Sequence, residues 1–538
     1  SLTCCSRWAS TRRVMGEPFP GPYSWKWHPW VRDMHDSQAS YNFAMKSAQM
    51  GITEVGINRA FYVLDQLKRD VLYVLPTKIN ASDFSQARFG VALEHSPYLK
   101  SLFSGADNIG LKRTGVNNLY IRGSRGDSNL KSIPVSELIL DEVDEMDQKQ
   151  IWLALTRLDG QLRKMVWAIS TPTIPNYGIH KLYQTSTQER FIFKCPCCSR
   201  RTELVWPDCI EIIGETVNDP RCVESFLKCK ECKKRIEHRD KPTWLGTGKW
   251  EVQAPNNNPD KRGFYINQLY SYTVSPGEVV EAYHRGMGDE AANKEFHNSK
   301  LGLPFLGEGA QVTDDMLQQC VGNHTMSDPR PTVGGRGRLI TLGVDQGKWS
   351  YWTAVEWFVD QMSRDINVAA KGKILCHGKF HEDEWGTLDT LMREWQVLAC
   401  VIDADPQINE ARRFAKKFPG YVYLCRYRRG QTAKEISKDD KGDNKDAPML
   451  TVDRTNWLTA SLGRFRTQRI ILPRDVSLEY REHMKALVRT YEKDDQNNPV
   501  ATFVDTGPDH YAHSLNYAEI ALPLAASITT GQDVGKFL

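Results

Sequence analysis

The sequence predicts two α/β domains in tandem, and three observations predict them. Short apolar runs end in acids at three places: Leu138–Leu140 before Asp141, Leu339–Val344 before Asp345, and Leu398–Ile402 before Asp403. Such runs suit strands buried on both faces of a sheet, with a polar group delivered at the strand tip. Helical spacing over Val55–Asp70, followed at once by the V-L-Y-V-L run Val71–Leu75, gives the helix-then-strand alternation of a parallel sheet. At 538 residues the chain exceeds one ordinary core.

Composition narrows the classes. With 70 basic and 66 acidic residues the net charge is only +4, so any contact with nucleic acid must come from local patches. No apolar run reaches the length of a membrane span, and no membrane association is expected. The first 14 residues lack an apolar core and do not read as a secretory signal; Met15 is a candidate start with a leader before it. Thirteen cysteines, odd in number and clustered, point to a reducing compartment and a metal site rather than a disulfide framework.

Taken in order, residues 16–40 are rich in Trp, Pro and His (Trp25, Trp27, His28, Pro29, Trp30), and serve either to staple the N-terminus onto the core or to wrap a base. Phe43–Glu54 then resembles a phosphate-binding loop, whose backbone N–H groups cradle phosphate at a helix N-terminus. Gly51 and Thr53 fit the end of that pattern, but Ile52 stands at the lysine position. The cation is instead Lys46 at the front of the loop, with Ser47 and Gln49 following it and Thr53 offering a hydroxyl to Mg²⁺. A plain strand-to-helix turn is the alternative for this motif alone. In V-S-E-L-I-L-D-E-V-D-E-M-D (Val135–Asp147), Asp141 would hold Mg²⁺ and Glu142 would polarise the attacking water, as at the end of a Walker B strand. About ninety residues separate Lys46 from Asp141, which suits a motor-type ATPase. The loop Arg122–Gly126 offers Arg125 first, and Arg122 second, as an arginine finger for a neighbouring subunit, or is a solvated turn. Met165–Thr173 (M-V-W-A-I-S-T-P-T) is an apolar strand ending in hydroxyls, and Ser170, Thr171 and Thr173 are candidates to sense the γ-phosphate.

Cys195-Pro-Cys-Cys198 and Cys229-Lys-Glu-Cys232, thirty residues apart, form two C-x₂-C knuckles for structural Zn²⁺, with Cys197, Cys209 and Cys222 as alternates. Residues 262–306 show no chemistry in their residue types and read as packing elements, and Asn323–Gly337 reads as a linker. Beyond it, Asp345 and Asp403 end strands, Asp405 lies two further on, and Asp509 begins a helix with His513 four residues later. Three acids in this order match the carboxylate cluster of ribonuclease-H-like nucleases, in which two Mg²⁺ or Mn²⁺ ions need shared carboxylates. Asp405 is a reserve for Asp403, and His510 or His513 for the third position. The charge-dense stretch Arg426–Asp446 is either a mobile loop or a strip in which Arg426, Arg428 and Arg429 follow a DNA backbone.

The ordered set resembles the large subunit of tailed-phage terminases, in the lambda-type branch. L-Y-V-L-P-T-K, R-G-F-Y-I-N-Q-L-Y-S and F-H-N-S-K-L-G-L-P-F resemble that branch too, and coverage runs from about Trp25 to about Leu522. The resemblance implies a P-loop (RecA/helicase-like) ATPase domain over 25–325 after an arm at 1–24, with a zinc-ribbon insertion at 190–240. A linker at 326–337 and an RNase H-like nuclease domain at 338–538 follow. It further implies an ATP-driven motor pumping double-stranded DNA through the procapsid portal. Concatemer cutting, a small terminase subunit, a five-membered ring and action in the host cytoplasm belong to the same expectation. Two departures stand out: Ile52 replaces the usual lysine, and His513 stands where many relatives carry an acid. The rival readings are a helicase-like or transposition ATPase with a zinc ribbon, which leaves the C-terminal acids unexplained, and a non-enzymatic zinc-bearing DNA scaffold.

Overall fold

Apolar runs bounded by turn residues build two large sheets, one in each half of the chain. The computed structural model describes residues 4–103, 107–124, 135–155, 158, 163–328, 338–359, 366–428, 436–493 and 499–534. Arg125, Arg429 and the span 329–337 lie outside the described residues. The chain divides into two units, residues 1–307 and 308–538.

In the first unit, parallel strands β1 (Tyr41–Lys46), β2 (Val71–Leu75), β3 (Asn117–Gly123), β4 (Glu137–Asp141), β5 (Met165–Ser170), β6 (Glu189–Lys194) and β7 (Lys261–Ile266) line up as β6-β7-β1-β5-β4-β2-β3. Every residue of β2 and β4 is buried, as expected of strands covered on both faces. Strand β5 lies between β1 and β4, pairing Met45 with Ser170 and Asp141 with Ile169. The ends of these three strands therefore share one edge of the sheet. Helix α1 (Ile52–Tyr62) follows β1 and continues as a π-helical turn, Val63–Leu67. The regular helix is thus a turn or more shorter than its spacing suggested. Gly56 lets α1 settle on the sheet: a Cβ there would stand 3.2 Å from the Tyr73 hydroxyl and from Ile139 Cγ2.

The described part of the expected N-terminal arm is integral to this unit. Trp8 is fully buried and donates its indole N–H to Asp65, and Arg13 reaches Asn58 and Glu54 of α1. The cysteine segment leaves the end of β6 and builds a small sheet from Ile210–Glu211, Phe226–Lys228 and Arg235–Ile236.

In the second unit, β8 (Arg338–Asp345), β9 (Trp349–Phe358), β10 (Lys371–His381), β11 (Ala399–Asp403), β12 (Val422–Arg428) and β13 (Met449–Asp453) run in the order β13-β12-β11-β8-β9-β10. β8 to β11 is a parallel step, whereas β8-β9-β10 is an antiparallel meander. Helix α2 (Arg454–Arg466) and helix α3 (His510–Thr530) cover it, and α3 is buried from Tyr511 to Ala526. The expected boundary after residue 325 is corrected: the first unit ends at Gly307. Val312, Leu317 and Cys320 enter the same core as α2 and α3, and His324 Nε2 is hydrogen-bonded to Ile374 O at 2.7 Å. The apolar side chains of 312–320 have to be buried somewhere, and the core of the second unit takes them.

Helix α3 approaches β8 at Gly343, where a Cβ would lie 1.9 Å from Ser514 O and 2.3 Å from Ala518 N. Only a residue without a side chain permits this contact. Gly343→Ala is expected to cost about 1–3 kcal/mol or more in thermal or denaturant unfolding of this unit, and wild-type stability would contradict the close approach.

Candidate active sites and metal centre

Lys46 is the last residue of β1, and its side chain runs along the edge shared with β4 and β5. Its Nζ donates to Glu142 Oε1 at 3.1 Å and to Thr171 Oγ1 at 3.2 Å. The ammonium therefore bridges two of the elements that the sequence nominated. Asp141 is 1 % exposed at the end of β4, and the Tyr73 hydroxyl of β2 donates to its Oδ2 at 2.6 Å. Burial, reinforced by the Glu142 charge, pushes the Asp141 carboxyl up to about 6, while Tyr73 and Lys46 oppose the rise. Glu142 itself adopts a left-handed backbone, φ +62°. Such strain in a non-glycine residue persists only where its surroundings impose it.

The loop after Lys46 is braced from behind. Ser47 N donates to Ile266 O and Ala48 N to Ser299 O, while Gln268 Nε2 donates to Ala48 O. A Cβ on Gly302 would stand 2.6 Å from Ser47 N, so that residue too lies flat against the loop. Gln49 and Gly51 are left-handed, with φ +60° and +73°, which turns the chain into α1. Trp30 is buried and clamps Met50 O through its indole N–H, which is the packing role. Thr53 stands in the first turn of α1, where the leading N–H groups lack intrahelical acceptors. Two buried atoms here have no protein partner, Ser47 Oγ and Asp141 Oδ1. Orphaned buried polar atoms are rare, and a phosphate with its divalent cation supplies the kind of partner both lack.

The three hydroxyl candidates separate. Thr171 faces Lys46, whereas Ser170 Oγ accepts from Asp144 N and Thr173 donates to Asp144 Oδ2 through both its N–H and hydroxyl. Asp144 also accepts from Ile179 N, and burial pushes its carboxyl up to about 7 against those hydrogen bonds. Sequence reasoning missed Asp144, which ties the turn after β4 to the end of β5; its signal was the second aspartate of D-E-V-D. It also missed Tyr73, the one polar tip in V-L-Y-V-L, and the bracing by residues 266–302. Arg122 is tied by its guanidinium to Gly110 O and Ile121 O of its own neighbourhood, and Arg125 lies outside the described residues.

The cysteine centre is built from two matched turns. Cys195, Cys198, Cys229 and Cys232 place their sulfurs within 4.8 Å of one another. Each turn closes the same way: Cys195 N bonds Arg200 O and Cys229 N bonds Lys234 O, with Ser199 and Lys233 both at φ +59°. Backbone N–H groups of Cys197 and Glu231 point at the sulfurs of Cys195 and Cys229. Four thiol donors in two knuckles are the donor set for tetrahedral zinc. The alternates are otherwise engaged: Cys197 is bonded to Arg235 O, Cys209 to Glu203 O and Cys222 to Thr216 O.

In the second unit, Asp345 and Asp403 end adjacent parallel strands, and Asp509 caps α3. Burial and the Asp345 charge push Asp403 up to about 7. His510 Nδ1 donates to Asp345 Oδ2 at 2.9 Å, and that bond raises the imidazole's affinity for its proton. His513 Nε2 is 3.2 Å from Asp509 Oδ2; burial would raise Asp509, but the bond and charge of His513 outweigh it. Behind them Asn516 donates to the Tyr427 hydroxyl, which lies 3.1 Å from His513 Nδ1. Gln346 amide donates to Asp403 O and its Oε1 accepts from Gln407 N. Asp405 is turned away, in a bidentate pair with Arg426. Among the described residues the three acids do not close into a single-ion cluster as the cysteines do. A pair of ions about 3.5–4 Å apart needs acids spread on either side of it. Gln346, Tyr427 and Asn516 were not visible in the sequence, because their roles exist only once β8, β12 and α3 meet.

Residues 17–250 match the family model of the phage terminase large subunit gpA ATPase domain, and residues 261–522 match that of the gpA endonuclease domain. The large terminase subunit of Escherichia phage lambda is 23 % identical over 337 residues, 56 % of this chain and 51 % of that protein. The match thus spans about half the length of that relative. The crystal structure of the HK97 bacteriophage large terminase aligns over 97 % of this chain and 98 % of its own, at 9 % identity and a TM-score of 0.49. The Thermus phage P74-26 large terminase ATPase domain aligns over 53 % of this chain and 94 % of its own, at 14 % identity and a TM-score of 0.31. With an ATPase-domain and an endonuclease-domain model of one subunit matched in order along it, the chain belongs to the phage terminase large subunit family.

Proposed function

We propose that this protein hydrolyses ATP to move double-stranded viral DNA into a procapsid and cuts the DNA concatemer with a metal-dependent nuclease. The observation that carries the reading is the Lys46 ammonium set between Glu142 and Thr171, beside an orphaned Asp141 oxygen. In the first unit, Lys46, Ser47, Gln49, Gly51 and Thr53 hold the phosphates. Asp141, with Thr53, would hold Mg²⁺, which would supply positive charge against the phosphates. Glu142 orients a water whose oxygen bonds to the γ-phosphorus as the bond to the bridging oxygen breaks. The water proton passes to Glu142, and the electron pair leaves with ADP. Thr171 then loses or keeps its lysine partner according to whether phosphate is present, and the Asp144 turn carries that change along β4 and β5.

In the second unit, Asp345, Asp403 and Asp509 would hold Mg²⁺ or Mn²⁺, which would supply water activation and charge stabilisation for phosphodiester cleavage. The mutual repulsion of Asp345 and Asp403 favours a cation there. The four cysteines would hold structural Zn²⁺, which would tie the two knuckles together. Family membership supports partners of the portal, the small terminase subunit and four further copies in a ring, working in the host cytoplasm. No helix among the described residues is long and apolar enough to cross a membrane.

Lys46→Ala is expected to lower ATP turnover by roughly 10²–10³-fold with the melting temperature unchanged, and normal turnover would remove the ATPase assignment. Asp345→Asn should stop Mn²⁺-dependent nicking of plasmid DNA and leave ATP hydrolysis intact; continued cutting would refute the acid cluster. Metal analysis should find about one zinc per chain, lost in Cys229→Ser, and a metal-free wild type would refute the knuckles.

A further inference from the structure

The segment after β2 carries an arginine that the hydrolysis described above does not use. Beyond Pro76 and Thr77 the chain forms a helix, Lys78–Phe84, and then a π-helical turn, Ser85–Gly90. Such turns re-aim side chains and recur at functional sites. Phe84 stacks on the Tyr73 ring at 5.1 Å, and Phe89 meets it edge-on at 5.3 Å while also packing on Phe61 of α1 at 5.4 Å. Tyr73 is the residue whose hydroxyl binds Asp141. The turn bearing Arg88 is therefore clamped beside the acid that ends β4.

Arg88 Nη2 donates to Glu54 Oε1 at 2.8 Å, and its side chain is 45 % exposed. Glu54 follows Thr53 in the first turn of α1, and its second oxygen accepts from Arg13 Nη2 at 2.6 Å. The Arg13 side chain is only 2 % exposed and is held again by Asn58. One carboxylate thus serves two guanidinium groups, one sealed in and one open to solvent. If Arg88 leaves, Arg13 still neutralises Glu54, so the outer pair is the exchangeable one. The charge of Arg88 already reaches Asp141, where burial and Glu142 push upward and Arg88 pulls with Lys46 the other way. Two other arginines of this unit are committed: Arg59 is locked to Glu137, and Arg122 to backbone carbonyls.

We infer that Arg88 is a phosphate-directed arginine acting within its own subunit: with ATP in the loop it leaves Glu54 to Arg13 and turns onto the γ-phosphoryl oxygens. It keeps its protons throughout and changes no bond. Its planar fork offsets charge that develops as water attacks and the bridging oxygen departs. The inference rests on the ATPase reading above.

The test uses the full chain and two readouts, ATP turnover and equilibrium binding of ADP with and without aluminium fluoride. Arg88→Ala should lower turnover by roughly 10²–10³-fold. ADP affinity should stay within about twofold while the added tightness of the aluminium fluoride complex is lost. Guanidinium ion added to that variant should restore part of the turnover. Arg88→Lys keeps the charge and the Glu54 pair, and should still lose turnover by about tenfold or more because it lacks the fork. Glu54→Gln should retain the preference for the fluoride complex. Turnover of Arg88→Lys and Arg88→Ala within about twofold of wild type would overturn the inference. Equal weakening of both complexes in Arg88→Ala would also overturn it, since that is the mark of a brace for α1. A wild type that does not hydrolyse ATP, or a Lys46→Ala variant that does, would instead strike the ATPase reading itself.

Discussion

A single strand inserted between two others governs the first unit. Because β5 separates β1 from β4, the lysine ending one and the acids ending the other face each other across the width of one strand. Ionised groups at the edge of a covered sheet are tolerable only when paired. Lys46 is paired with Glu142, and Asp141 leans on Tyr73, but the pairing is left incomplete at Ser47 Oγ and Asp141 Oδ1. The unit tolerates this because its surroundings over-determine it: Gly56 admits α1, the Asp144 turn anchors the end of β5, and carbonyls from 266 and 299 hold the loop.

The second unit meets a related requirement with a different electrostatic solution. It also brings acids to the carboxyl ends of adjacent strands, but among the described residues no lysine is ion-paired with them. Two histidines from α3 do the shielding, one on Asp345 and one on Asp509, while Asp403 is raised by its burial and by the Asp345 charge. A lysine is a permanent resident charge, suited to a polyanionic nucleotide that must come and go. Histidines give up a carboxylate more readily, which suits a place where cations are to sit.

Much of this was legible from residue order. The strands Val71–Leu75 and Ala399–Asp403 announce themselves because burial on both faces demands unbroken apolar runs. The cysteine knuckles were legible because tetrahedral coordination fixes their spacing. What escaped were groups whose meaning is relational. Residues 262–306 read as packing because no residue type there is reactive, yet their carbonyls and Gly302 form the back wall of the loop. The span 308–325 was assigned to the wrong side of the division, since periodicity shows that an apolar face will be buried but not against which core. Ser170 and Thr173 were nominated for phosphate and are engaged by Asp144, a distinction that hydroxyl chemistry alone does not draw.

The origin of that back wall has a biogenetic consequence. Gln268 touches the loop from 220 positions downstream, and Ser299 and Gly302 from further still. A chain emerging from the ribosome at about 5–20 residues per second holds Lys46 and Glu142 many seconds before it holds anything to lean them on. The loop after Lys46 therefore gains its back wall only when the stretch that includes Ile266, Gln268, Ser299 and Gly302 docks, so its shape is completed by the last part of the unit to be made.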